Sequence, residues 1–377
     1  MILRRLPPFL LLAAILAACG GPGPGGGDGA PHDSGHSGLP GGDPGAPGAP
    51  DGATPAPAPE PEPEPTLVRW VAPDGDDGAD GSEAAPWGSV AHAVANATPG
   101  MKIVVRGGTW PGLDVAAVDG TGEAPIVLAG APEARPVFAG PVVVRRAHWI
   151  LDGIEVASPE DTFSLRFTGE GAHDAVIRNS VVRDGRGAAG ISVDLGAHRI
   201  RIEANEIFGI SRGDTDAHGI VVQPTTSEVA IVGNTIHATS GDSVQCIGPG
   251  QDAVEGAPAN GVLVEGNHFH ETRENAVDIK HCEHVAIRGN VMHGFRRSST
   301  SNGEAVVVHL LARDVVVEEN DISDASRGVV TGRGATEVLV RRNRIHGLAD
   351  ERTAILFGEG AGLRAIHNTI AGAAKGV

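Results

Sequence analysis

Asparagine returns along this chain after short alternating aliphatic runs, and that recurrence restricts the fold more than any other feature. The runs end at Asn179, Asn205, Asn234, Asn267, Asn290, Asn320, Asn343 and Asn368, as in Ile200-Arg201-Ile202 before Asn205 and Val262-Leu263-Val264 before Asn267. Each Asn has an aliphatic residue three positions before it and Val, Ile, Phe or Met two positions after it. Successive spacings of 26, 29, 33, 23, 30, 23 and 25 residues describe one unit with loops of varying length inserted. A period of this size predicts a stacked solenoid rather than a compact globule.

Between consecutive Asn units lies a second short run, such as Gly190-Ile191-Ser192-Val193, Ala276-Val277-Asp278-Ile279 and Ala305-Val306-Val307-Val308. These runs are too short and too β-branched for helices, and Gly or Asn punctuates them. Two or three strands per turn of about 25 residues is the coil of a parallel β-helix, in which each strand pairs with its equivalent about 4.8 Å above and below. An Asn at one corner of every rung can pass its amide hydrogen bonds to the next, satisfying backbone groups the corner would leave unpaired.

The first residues differ in kind. Arg4 and Arg5, an apolar stretch from Phe9 to Leu16, and Leu16-Ala17-Ala18-Cys19 read as a secretory signal over residues 1–18, too short to span a membrane. Its last four residues resemble the bacterial lipobox, which implies cleavage before Cys19, acylation of that cysteine and anchorage to a lipid bilayer. Gly20 follows instead of Asp, which favours the outer membrane or cell surface. Residues 19–66 are almost entirely Gly, Pro, Ala, Asp and Glu, too poor in apolar surface to order themselves, and predict a tether of about 40 Å reach.

Residues 67–377 are predicted as one solenoid domain. Of the formal charge of −18, the signal carries +2 and the tether −7, leaving −13 here. That balance argues against nucleic acid as a partner. The oligomeric state is not legible. The domain opens with an Asp-rich loop (Asp74, Asp76, Asp77, Asp80), Pro86-Trp87, a short helix predicted over Ser89–Ala97, Pro99-Gly100, the strand Met101–Arg106 and Gly108-Thr109-Trp110. This string resembles the amino-terminal cap and first rung of right-handed, pectin-lyase-like β-helix proteins, and with the Asn units the likeness covers residues 67–377. The implied fold is all-β, a right-handed parallel β-helix with a short N-terminal cap helix. The superfamily includes lyases, hydrolases, adhesins and other surface proteins. Asp74, Asp76 and Asp80 are candidate calcium ligands, and a solvated turn is the other reading of the same loop.

Aligned rungs place Ile191/Val193, Ile220/Val222, Val244/Cys246, Val277/Ile279 and Val306/Val308 inward. Outward columns then read Ser192, Val221, Gln245, Asp278, Val307 and, two residues on, Asp194, Gln223, Ile247, Lys280, His309. Asp278 and Lys280 are two apart on one strand and face the same way, with His309 one rung above Lys280 and Glu304 at the start of that rung beside Asn275. With loop residues Asp242, His270, Glu271 and Arg296 expected to border the same place, these groups suit proton abstraction α to a uronate carboxylate. The stretch resembles polysaccharide lyases of the chondroitinase B and alginate lyase type. That resemblance makes Lys280 the base, while His309 stands where the family has an arginine. Asn275 and Arg273 stand where it has paired calcium-binding glutamates. Lys280, His309, Asp278 and Glu304 are thus the candidate catalytic set, with Asp194, Gln223, Gln245, Asn275 and Arg296 as substrate contacts. The rival expectation is a non-catalytic lectin, adhesin or envelope protein using the same face to hold a polysaccharide. The absence of Tyr and the confinement of Trp to residues 70–149 favour that rival.

His237, His270, His293 and His346 recur at one repeat position and read as surface residues. His281 and His284 flank Cys282 without the spacing of a zinc site. Cys246 and Cys282, offset by about three residues or roughly 10 Å along the strand, are expected as buried free thiols. Ala373–Val377 looks like the start of another rung, so either the sequence is truncated or its open edge docks on something.

Overall fold

The computed structural model describes residues 63–247, 256–349 and 352–377. The chain divides into two units, Met1–Glu62 and Pro63–Val377, and the described residues belong to the second. The signal, Cys19 and nearly all of the tether lie outside them.

Among the described residues, the strands of successive rungs stack into three parallel sheets of 13, 10 and 11 strands. The first sheet runs from Leu67–Val71 through Val176–Arg178 and His198–Glu203 to Ala335–Arg341 and beyond. The middle sheet runs from Leu113–Val115 through Ala189–Asp194 and Val277–Ile279 to Thr353–Phe357, and the third from Gly108–Trp110 to Thr369–Ala371. Alternation decides what goes inside, because successive side chains of a strand point to opposite faces. Val285, Ile287, Val315 and Val317 of the first sheet, Val277 and Val306 of the middle sheet, and Phe269 and Met292 of the third are at most 2% exposed. They form one continuous apolar column.

The first and third sheets meet at the asparagine corner. Oδ1 of each ladder Asn accepts from both the backbone N–H and Nδ2 of the Asn one rung before it, at 2.8–3.0 Å from Asn234 back to Asn205 and from Asn267 back to Asn234. The pattern continues through Asn290, Asn320, Asn343 and Asn368. Nδ2 also donates to a strand carbonyl, as Asn267 does to Ile231 at 2.9 Å. The residue before each amide bends the chain through positive φ: Ala204 at 53°, Gly233 at 64°, Gly266 at 63° and Gly289 at 62°.

Asn179 departs from the expected register. It occupies the bend position itself, at φ 50°, and donates to Asp152 rather than joining the ladder. Ser180 holds the ladder position, its backbone N–H donating to Asn205 Oδ1 at 3.0 Å. Asn tolerates the left-handed bend better than other non-glycine residues, so the same residue type marks two adjacent positions of the corner.

At the amino end, Leu67–Val71 pairs with Met101–Val105, and a helix spans Val90–Ala95. Ser89 caps it, its Oγ accepting from His92 N–H and donating to Asp77 Oδ2 at 2.7 Å. Val90, Ala93 and Val94 are the face it buries. The carboxylates of the Asp-rich loop turn to local donors: Asp76 to Gly78 N–H, Asp77 to Gly88 and Ser89 N–H, Asp80 to Ser82 N–H. They organise turns and do not converge on a common point for calcium. Among the described residues, a group of three whose ligand atoms all lie within 4.8 Å of one another occurs at His148, His173 and Asp174.

Cys246 and Cys282 form a disulfide, with Cα atoms 6.5 Å apart. This corrects the expectation of two free thiols. The offset along the strand does not apply because the chain leaves the middle sheet after Lys280 in a tight turn, with Cys282 N–H on the Lys280 carbonyl at 2.6 Å. Cys282 then starts the next strand of the first sheet and points inward, where both sulfurs are fully buried. The thiolate a zinc site beside His281 and His284 would require is therefore consumed. At the carboxy end, the N–H groups of Ala354 and Ile355 donate to the carbonyls of Lys375 and Gly376, so these residues pair on the strand Thr353–Phe357.

Candidate functional site

The middle sheet has the register the sequence alignment requires. Ile191 pairs with Ile220, then Val244, Val277, Val306, Val329 and Ile355, rung by rung. Gln245 therefore lies beside Asp278, and Lys280 and His309 follow one residue beyond paired strand ends. Outward does not mean exposed here. Ser192 is fully buried and Gln245 and Asp278 are 7% and 6% exposed, while Leu356 in the same column is 41% exposed. Long connections flank the middle rungs: Arg273 ties to the carbonyl of Asp214 and to the Asp216 carboxylate, and Ser301 Oγ donates to Asn275 Oδ1 at 2.8 Å. These connections thus flank the polar column.

Asp278 is its centre. Its Oδ1 lies 2.9 Å from His309 Nε2, its Oδ2 lies 3.2 Å from Lys280 Nζ, and Gln245 Nε2 approaches Oδ2 at 3.5 Å. Burial alone would raise the Asp278 pKa, but the charges of Lys280 and His309 outweigh it and hold the carboxyl well below the usual range. Burial pulls the Lys280 pKa down, yet Asp278 and then Asp242 more than reverse this, so the ammonium stays protonated. The open side of the trio is at Lys280 and His309, whose side chains are 22% and 19% exposed.

A second group adjoins it at the start of the same rungs. Asp242, fully buried, accepts from Asn275 N–H and Nδ2 through Oδ1 and from Gln245 Nε2 through Oδ2. Its own N–H donates to His218 Nδ1 at 3.0 Å. Glu274 stands beside it with its pKa pushed up to about 7, first by burial and then by the Asp242 charge. Ser301 Oγ bridges Asn275 to Glu304, whose Oε1 accepts from Arg327 at 3.3 Å.

Of the residues named from sequence, Asp278, Lys280 and His309 are in mutual contact, and Gln245, Asn275 and Glu304 join them through Asp242 and Ser301. Asp194 and Gln223 form a separate set farther down the face. There the Asp194 carboxylate, 1% exposed, is filled by Arg166 at 2.7 Å, Thr168 at 2.5 Å and Ser192 at 2.8 Å. Fully buried Val221 interrupts the column between the two sets. Arg296 joins neither set. It pairs with Asp324 and, with Arg273, Arg297 and Glu271, lines an open cleft of about 430 Å³.

Sequence reasoning missed Glu274 and His218 as parts of the site, and placed Asp242 only among the loop residues bordering it. Asp242 and His218 lie in connections of different length, where no repeat register predicts position. Glu274 was visible in the dense stretch before Lys280, but only its burial beside Asp242 distinguishes it.

Residues 219–377 match the family model described as Right handed beta helix region. The sequence matches no curated protein. Among solved structures, a glycoside hydrolase aligns at TM-score 0.57 with 9% identity over 81% of this chain and 96% of that one. A GH136 lacto-N-biosidase from Eubacterium ramulus aligns at 0.50, with 13% identity over 81% and 68%. PfbA, a surface adhesin of Streptococcus pneumoniae, aligns at 0.50, with 11% identity over 71% and 83%. At such identities the likeness is one of fold, and the fold of this chain is a right-handed parallel β-helix.

Proposed function

We propose that the chain is a polysaccharide-processing β-helix protein that cleaves uronate-containing glycans by β-elimination on the face that carries Asp278, Lys280 and His309. The observation that carries this reading is the Asp278 carboxylate held between His309 Nε2 and Lys280 Nζ. A carboxylate on Nε2 favours the tautomer with a free lone pair on Nδ1, and Nδ1 is then the base. Lys280, whose ammonium Asp278 and Asp242 favour, takes the cationic role in this reading rather than that of the base. It neutralises the substrate carboxylate and the charge that develops there as the α proton leaves.

His309 Nδ1 takes the proton α to the uronate carboxylate, and its electron pair becomes the new carbon–carbon double bond. The β carbon–oxygen bond breaks, and the departing glycosidic oxygen takes its proton from Glu274, which burial keeps protonated near neutrality. No step is routed through calcium. The solved structures of this fold named above include both glycan hydrolases and an adhesin. A non-catalytic glycan-binding role on the same face is therefore the second reading, favoured by the burial of Asp278 in a closed ion-pair network.

A panel of polyuronates, followed by ultraviolet absorbance of the unsaturated product, separates the two. The wild type is expected to depolymerise at least one, with His309→Ala and Lys280→Ala each losing about 100-fold or more in rate while glycan binding persists. A wild type that yields no unsaturated product from any polyuronate ends the elimination reading. Anchorage through Cys19 at the outer membrane or cell surface is part of the proposal, and radiolabelled palmitate incorporation lost in Cys19→Ser tests it.

A further inference from the structure

The outer face of the third sheet carries a concentration of imidazoles that the glycan reading does not use. Register puts Phe208, His237, His270 and His293 in one column on successive rungs. Their rings stack at centroid separations of 5.1, 4.8 and 5.4 Å. His268 precedes His270 by two residues on the strand His268–His270, so both project from the same face while Phe269 between them is fully buried.

The decisive contact is diagonal. His268 Nε2 and His293 Nε2 lie 2.9 Å apart, and the His270 ring stands 4.7 Å from one and 5.4 Å from the other, centroid to centroid. Two ring nitrogens aimed at each other share one proton or one cation. Tetrahedral zinc with nitrogens at about 2.0–2.1 Å needs them roughly 3.3 Å apart, so an opening of about 0.4 Å would admit the ion.

We propose that His268 and His293, with the His270 ring packed beside both, supply the two imidazole ligands of a binding site for a divalent transition-metal ion of the class that prefers imidazole, such as zinc, copper(II) or nickel. Burial first, and then the neighbouring imidazoles, lower the pKa of His268 and of His270, so the rings present lone pairs at neutral pH. The carboxylates nearest the column, Glu206 at 3.4 Å from His237 and Glu271 at 3.7 Å from His270, favour a cation. The other convergent set, His148, His173 and Asp174, lacks this advantage. There Arg199 already holds both Asp174 oxygens at 2.7 Å.

The test is zinc titration of the full chain by calorimetry after chelator dialysis, with the zinc-induced rise in melting temperature as a second readout. His268→Gln and His293→Gln are each expected to weaken binding by at least about tenfold, since even outer-shell partners of a metal are worth roughly 10- to 100-fold. His346→Gln, in the same column but two rungs beyond His293, should leave binding unchanged. A copper(II) spectrum showing coupling to at least two nitrogens in the wild type, lost in both variants, would identify the ligands. Equal affinity in the wild type and both variants, or no uptake by the wild type, overturns the proposal. Unchanged metal-free melting of the variants distinguishes loss of a ligand from loss of the fold.

Discussion

Two carboxyl groups a few residues apart, Glu274 and Asp278, are driven in opposite directions by their surroundings, and the difference is measurable. Burial and Asp242 push Glu274 from 4.5 up to about 7. A carboxyl that keeps its proton longer when folded weakens the fold as pH rises between those values, because the unfolded chain releases the proton first. Replacing Glu274 with Gln should flatten that limb and stabilise the protein above pH 7 by on the order of 2–3 kcal/mol, read from urea midpoints across pH. Asp278 works the other way. Held below its ordinary 3.8 by Lys280 and His309 against the opposing effect of burial, it contributes stability above that value. The contribution is lost as pH falls below it, and Asp278→Asn should remove this acid sensitivity. The ladder makes a second prediction at this scale. Asn267→Ala removes the acceptor of Asn234 N–H, one of the acceptors of Asn234 Nδ2, and the amide donor to the Ile231 carbonyl. A loss of at least about 2 kcal/mol is expected. Asn179→Gly, at the positive-φ bend outside the ladder, should change stability little, and denaturant melts of the two variants check the contrast.

Between residues and molecule, the strand is the unit whose position could be read in advance. The inward set Ile191, Ile220, Val244, Val277 and Val306 aligns in space as it does in sequence, because a one-residue slip would send every buried side chain to the solvent face. That constraint also placed Lys280 and His309 in one outward column. It fails where strands end. The turn after Lys280 brings Cys282 under Cys246, and linear spacing along a strand says nothing about a chain that has left it. The bridge closes a sequence separation of 36 residues. Loop entropy then assigns it about 4 kcal/mol, so Cys246→Ala with Cys282→Ala should lower the stability by roughly that amount. In the unreduced, denatured protein both cysteines should resist alkylation.

At the level of the whole molecule, a solenoid offers each sheet as a separate surface, and this chain presents different chemistry on two of them. The middle sheet carries a buried ionic cluster, and the third sheet carries stacked imidazoles. The sequence by itself determined the architecture, since a recurrent corner amide and alternating aliphatic runs admit a parallel coil and little else. It also determined the outward column through Lys280 and His309, because period-two alternation is a local property. Only the tertiary structure decided what that column could do. Burial by the flanking connections, the reach of Asp278 to both neighbours, and the placing of Asp242 beside Glu274 depend on loops of unequal length. Their paths are set by packing rather than by any repeat, and the charge states of the site follow from them.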